Sequence, residues 1–230
     1  MNNKKQSTIQ LEKLIGISIF SALAYIIALI CNVIPPIQGF LSFDVKDAVI
    51  AIAAFIYGPI SGVIIAFIAA FIELFTFSTT VWYGFIMNFA SSAVFALTAS
   101  LVYKMFRTIN GAIISFTAAI VVTTGVMLLL NTFVTPIYLT SPLVGMPKEA
   151  AESMVMELLP KVLLPFNFAK SMFNASVAIM LYKPVLAALS KAKIIKTKTA
   201  NLNFNRNTKI VLIVGSICLV ASVVIFFVLA

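Results

Sequence analysis

Residues 164–180 read L-P-F-N-F-A-K-S-M-F-N-A-S-V-A-I-M. The stretch belongs to a membrane span, yet it opens on a proline, an amide (Asn167) and an ammonium (Lys170). An ionisable group at membrane depth costs about 2.5–3.5 kcal/mol or more, so it usually faces a protein interior or a ligand site. Asn167 and Lys170 are three apart and share one face of a helix.

The rest of the chain is of the same kind. Of 230 residues, 62% are hydrophobic and 10% charged, against about 45–50% and 25% in soluble domains. The fold class is therefore all-α integral membrane protein. Its polar stretches are too short for a separate soluble domain. Met1 to Gln10 is polar and runs into a full span with no small-residue cleavage site, so no cleavable signal peptide is expected. The chain has no histidine, which removes the commonest metal ligand and general base. Cys31 and Cys218 lack metal-ligand spacing, so neither a metal nor a cofactor is expected. No phosphate-cradling G-x-x-x-x-G-K-[ST] occurs, and no enzymatic activity is expected.

Apolar runs of about 20 residues mark spans. The first is Leu14 to Ile34, stopped by Pro35-Pro36. After a loop through Asp47 comes a short helix, Ala48 to Tyr57, broken at Gly58-Pro59. Ile60 to Phe75 follows, then Trp82 to Lys104, Ala112 to Ile137 and Val162 to Leu189. Lys148 to Leu159 reads as a short amphipathic helix. The organisation is a membrane domain over 1–190, a basic linker over 191–209 and an extra span over 210–230.

Positive charge orients the spans. Lys4, Lys5 and Lys13 precede the first; Lys104 and Arg107 follow the fourth; seven more basic residues run from Lys183 to Lys209. All three groups share one face if the N-terminus is cytoplasmic. The net charge of +9 is then a topology signal, and the expected partner is the lipid bilayer and not nucleic acid.

This topology collects the unusual residues in the outer half. They come from the loop at 40–47, the start of the fourth span (Trp82 to Asn88), the end of the fifth (Asn131 to Tyr138) and the start of the sixth. Phe40, Phe43, Trp82, Tyr83, Phe85, Phe133, Tyr138, Phe166 and Phe168 are candidate apolar walls. Asn88, Asn131, Asn167 and Lys170 are candidate hydrogen-bonding groups. An asparagine offers donors and an acceptor, so this set suits a planar heterocycle with alternating carbonyl and N–H groups. Asp44 and Asp47 are placed to touch hydroxyls on a polyol tail.

Blander readings stand beside these. Asn88 can bridge two helices, Asn131 can cap its helix, and Lys170 can snorkel to headgroups. Trp82 and Tyr83 read as interface-belt residues, and Glu73 as reaching the outer headgroups. In the first span Ser18 and Ala22 form a small-xxx-small pair, widened by Ser21 and Ala24, that lets another helix approach closely.

Several segments carry a resemblance. Phe40-Leu41-Ser42-Phe43-Asp44-Val45-Lys46-Asp47 resembles a loop of the form aromatic-L-K-hydrophobic-D-F-S-D. Tyr57-Gly58-Pro59-Ile60-Ser61-Gly62 is similar to a Y/F-G-P-x-x-G turn, and Gly84-Phe85-Ile86-Met87-Asn88-Phe89 to a G-x-x-x-N-F segment. Leu130-Asn131-Thr132-Phe133 with Pro136-Ile137-Tyr138 resembles L-N-Y…P-x-Y, and Leu164 to Lys170 matches L-P-F-N-x-x-K. Over residues 10–190 the chain thus resembles the substrate-binding S components of energy-coupling-factor (ECF) vitamin transporters, most closely the riboflavin-specific ones.

The resemblance implies a six-helix S-component bundle with a flavin pocket near the outer face; the span at 210–230 is additional. It implies that Asn131, Asn167 and Lys170 meet the polar edge of the isoalloxazine, that Gly84 and Asn88 line the wall, and that Leu41 to Asp44 cover it. It implies that Ser18 and Ala22 dock on a transmembrane coupling subunit served by two ATPases. Riboflavin would be the transported ligand in the cell membrane. Ser42 stands where the family has lysine, Lys46 where it has serine, and Thr132 where it has an aromatic. The alternatives are an S component for another vitamin or for flavin mononucleotide, a membrane-embedded enzyme, or an assembly subunit without a ligand.

Overall fold

The computed structural model describes the backbone of residues 2–106, 109–192 and 206–229. The elements are α1 (Asn2–Cys31), α2 (Lys46–Tyr57), α3 (Pro59–Thr76), α4 (Val81–Phe106), α5 (Ile109–Thr140), α6 (Lys148–Leu158), α7 (Leu164–Lys191) and α8 (Arg206–Leu229). A single π turn, Leu159–Leu163, joins α6 to α7. Six helical stretches among the described residues are long and apolar enough to cross a membrane. Arg107 and residues 193–205, with Lys193, Lys196 and Lys198, lie outside the described residues.

Most helices follow from apolar runs, and their ends follow from local chemistry. Gly58 stops α2 at a φ of +100°, a conformation open to glycine. Pro59 then starts α3 at a first-turn position, where its missing N–H would be unpaired anyway. The proline in α5, Pro136, does not end that helix, which continues to Thr140.

α2 is the hub. Its twelve residues span about 18 Å at 1.5 Å per residue, well short of a ~30 Å hydrocarbon core. Lys46 to Ala54 are all buried, and α2 packs against α1, α3, α4 and α7. The segment 32–45 dips into the bundle, burying Leu41, Phe43 and Asp44, so α2 begins at depth rather than at the surface. Small residues allow the helices to close on it. A Cβ on Gly62 of α3 would stand 2.7 Å from Ala54 Cβ of α2 and 3.2 Å from Ala96 Cβ of α4.

The small residues of α1 divide between two faces. Ser21 and Ala24 are buried in the bundle, whereas Ser18 and Ala22 are exposed. Ser21 and Ala24 therefore do not widen the outward patch. α8 packs along α7 and reaches α5.

The Gly62 junction is open to direct test. Gly62→Val should destabilise the protein by about 1–3 kcal/mol, the usual penalty of overpacking, as read by thermal unfolding in detergent. Gly125, with open space where a Cβ would sit, should accept alanine with a change within about 0.5 kcal/mol.

Candidate functional site

The end of the bundle that carries the 32–45 loop contains a cavity built from three helices and that loop. α4 contributes Tyr83, Gly84, Met87, Asn88 and Ser91; α5 contributes Met127, Asn131, Thr135 and Tyr138; α7 contributes Phe166, Asn167 and Lys170. Phe40, Leu41 and Ser42 of the loop, Thr80 before α4 and Val134 of α5 complete the lining. A Cβ on Gly84 would meet the Thr80 hydroxyl oxygen, so a side chain there would displace that hydroxyl. Phe40 and Tyr83 both pack on Tyr138, with ring centroids 6.2 and 5.6 Å apart.

Two of the three amides that line this cavity, Asn131 and Asn167, are anchored on their own helices. Asn131 Nδ2 donates to the Met127 carbonyl at 2.7 Å, and its Oδ1 accepts from Thr135 Oγ1 at 2.9 Å. Asn167 Nδ2 donates to the Leu163 carbonyl at 2.7 Å. Each Nδ2 carries a second hydrogen, so both side chains are oriented without being exhausted.

Lys170 does not snorkel. It is 6% exposed, and its Nζ donates to Asp44 Oδ2 at 2.8 Å and to the Ser42 carbonyl at 3.1 Å. Three N–H groups are available, which leaves one for the cavity. Ser42 thus serves Lys170 through its backbone.

A second cavity lies beside the first and shares Phe40, Ser42, Thr80 and Asn88 with it. Asn32, Phe43, Asp44 and Glu73 line it. Here the sequence expectation for Glu73 is corrected. Glu73 is 2% exposed and accepts from Lys46 Nζ at 2.7 and 2.6 Å and from Asn88 Nδ2 at 3.2 Å. A carboxylate inside an apolar bundle needs a cation and hydrogen bonds to offset desolvation, and Lys46 supplies the cation. The surroundings are therefore charged and paired, not chiefly neutral amides.

Asp44 organises the junction. Its Oδ1 accepts from the Lys46 backbone N–H at 3.2 Å, satisfying one free donor of the α2 N-terminus. Asn174 of α7 satisfies another: its Oδ1 accepts from the Ala48 N–H at 2.8 Å. Asn174 Nδ2 donates to the carbonyls of Asp44 and Lys170, at 2.9 and 3.0 Å. Burial raises the Asp44 carboxyl, but the ammoniums of Lys170 and Lys46 pull it below the usual carboxylate range. The pair's contribution to stability is therefore fully present above the ordinary aspartate range and is lost as pH falls through the lowered one.

Other expected site residues separate. Leu41, Gly84, Asn88, Asn131, Tyr138, Asn167 and Lys170 share the first cavity, and Phe43 and Asp44 reach the second. Phe133 does not join them. It is 68% exposed and lies with Thr132 on a groove between α5 and α6, because it sits two residues from Asn131, on another side of α5. Trp82 and Phe168 are 56% and 40% exposed, and Phe85 packs among Phe67, Phe71 and Phe89. Asp47 accepts from Ser92 Oγ and is buried in the α2 first turn, outside the lining of both cavities. Asn174 was missed, although its place four residues after Lys170 puts it on the same face.

The comparisons with known proteins agree with this architecture. Residues 12–186 match the family described as "ECF transporter, substrate-specific component". The chain is 32% identical over 187 residues to the riboflavin transporter RibU of Staphylococcus aureus (strain TCH60), covering 80% of this chain and 95% of RibU. It is 25% identical over 167 residues to the riboflavin transporter FmnP of Bacillus subtilis (strain 168), covering 70% of this chain and 85% of FmnP. Among solved structures, the S component reported under "Structure and mechanism of the S component of a bacterial ECF transporter" superposes with a TM-score of 0.63 at 29% identity, over 82% of this chain and 99% of that one. With that coverage, the chain belongs to the substrate-specific components of ECF transporters, a family of multi-pass membrane transport components and not of enzymes.

The Asp44–Lys170 pair carries a stability prediction. Asp44→Ala strands a buried ammonium and should cost about 3–5 kcal/mol. Adding Lys170→Met removes the stranded charge and should recover part of that loss. Denaturation of the single and double variants in detergent measures both.

Proposed function

We propose that this chain captures riboflavin from outside the cell for import by an ECF transporter. The observation that carries the reading is the first cavity, where Asn131, Asn167 and one free N–H of Lys170 line one apolar chamber under the 32–45 loop. That set matches the edge of an isoalloxazine, whose carbonyls and ring nitrogens alternate. Phe40, Tyr83, Tyr138 and Phe166 supply the apolar surface against which a flat ring is buried. Gly84 and Asn88 form the wall. The hydroxylated tail extends toward the second cavity, where Asp44 accepts hydrogen bonds. The names of both curated relatives, each a riboflavin transporter, support the same ligand.

The loop end of the bundle faces outward, and the N-terminus lies in the cytoplasm of a cell whose plasma membrane holds the chain. The clusters of lysine and arginine at the opposite helix ends support this orientation. Energy comes from partners, since this sequence carries no phosphate-cradling motif. Ser18 and Ala22, exposed on α1, form the docking patch for a transmembrane coupling subunit that works with two ATPases. α8 packs on α7 and α5, away from that patch.

Riboflavin absorbs visible light and fluoresces. Purified protein should carry a flavin band or quench added riboflavin, and the absence of both at micromolar ligand overturns the reading. Lys170→Ala and Asn167→Ala should each weaken binding by about 1–3 kcal/mol per lost buried partner. Competition by flavin mononucleotide in the same titration decides whether a phosphorylated tail is accepted.

A further inference from the structure

The family match ends at residue 186, so α8 is an addition to the shared bundle, and its packing is specific. Gly215, Leu219, Ser222, Phe226 and Leu229 fall on one helical face. A Cβ on Gly215 would lie 3.4 Å from Met180 Cγ and 3.7 Å from the Ser176 carbonyl of α7. Ser222 is fully buried. The opposite face, with Ile213, Ile217, Val220, Val224 and Phe227, is exposed as a lipid-facing surface would be.

At the loop end this face meets the segment that covers the cavity. The Phe226 ring lies 4.6 Å from that of Phe43, and Phe43 lies 5.0 Å from Phe173 of α7. Phe43 is thus wedged between two helices and is 9% exposed. Its chain neighbours are Ser42 and Asp44, the two acceptors of Lys170 Nζ. Fixing the Phe43 ring therefore fixes both acceptors and the lid they belong to.

We propose that α8 acts as a built-in clamp on the 32–45 loop, with Phe226 as a positioning residue that sets how readily the loop opens over the cavity. A helix that only anchored the chain in lipid would need the Gly215 and Ser222 contacts but not Phe226. The clamp does not depend on which ligand the cavity holds.

Hydrogen–deuterium exchange of the full-length protein in nanodiscs tests this. Phe226→Ala should speed exchange of the 37–45 amides by roughly two- to tenfold, the range an aromatic pair accounts for, with α7 protection retained. Phe226→Leu should give an intermediate rate, and Val220→Ala, on the exposed face, the wild-type rate. Loop exchange at the wild-type rate in both Phe226 variants overturns the proposal. So does equal acceleration by Val220→Ala. If the alanine variant fails to fold, the leucine variant decides, and a wild-type rate there counts against the clamp. Riboflavin dissociation should quicken in step with loop exchange. Failure of the wild-type protein to bind riboflavin would refute the flavin reading and leave the exchange comparison standing.

Discussion

The buried pair between Asp44 and Lys170 holds the loop end of the bundle together. One carboxylate does three things at once. It neutralises an ammonium inside an apolar bundle, accepts a free N–H at the start of α2, and fixes the loop that covers the cavity. Asn174 backs it by bonding both backbones and the Ala48 N–H. A pair of this kind adds little net stability over an apolar substitute, but losing one partner is expensive. It therefore specifies one arrangement of loop and helix more than it strengthens the fold.

The second pair, Lys46 with Glu73, extends this logic to α3. Lys46 also lies 3.9 Å from Asp44, so the two pairs form a single network reaching Asn88 on the cavity wall. Asn88 of α4 is thus tied through Glu73 to the central helix. The lysine at position 46 is accommodated because Glu73 is within reach of its ammonium.

Much of the fold was legible because membrane burial imposes a simple rule. A span needs a long apolar run, and Gly58-Pro59 breaks one for a known backbone reason. The apolar run at 210–230 likewise announced a helix. The site was legible in part. Asn131, Asn167 and Lys170 stood out because polar groups at membrane depth need a reason to be there, and all three line one cavity. Phe133 was misplaced because proximity in sequence does not assign a helix face, and an aromatic is as much at home against lipid as against a ring.

The sequence by itself determined the helices, their breaks and the demand that Lys170 be satisfied, because hydropathy and backbone chemistry act locally. Only the tertiary structure decided who satisfies it. Asp44 lies 126 residues from Lys170 in the chain, and Glu73 lies 27 from Lys46. Choosing partners across such distances depends on how helices pack, and with three buried carboxylates near two ammoniums several pairings are chemically equivalent. The close packing of alanine and glycine around α2 brings one of them within hydrogen-bond reach, and that pairing places the loop and the cavity.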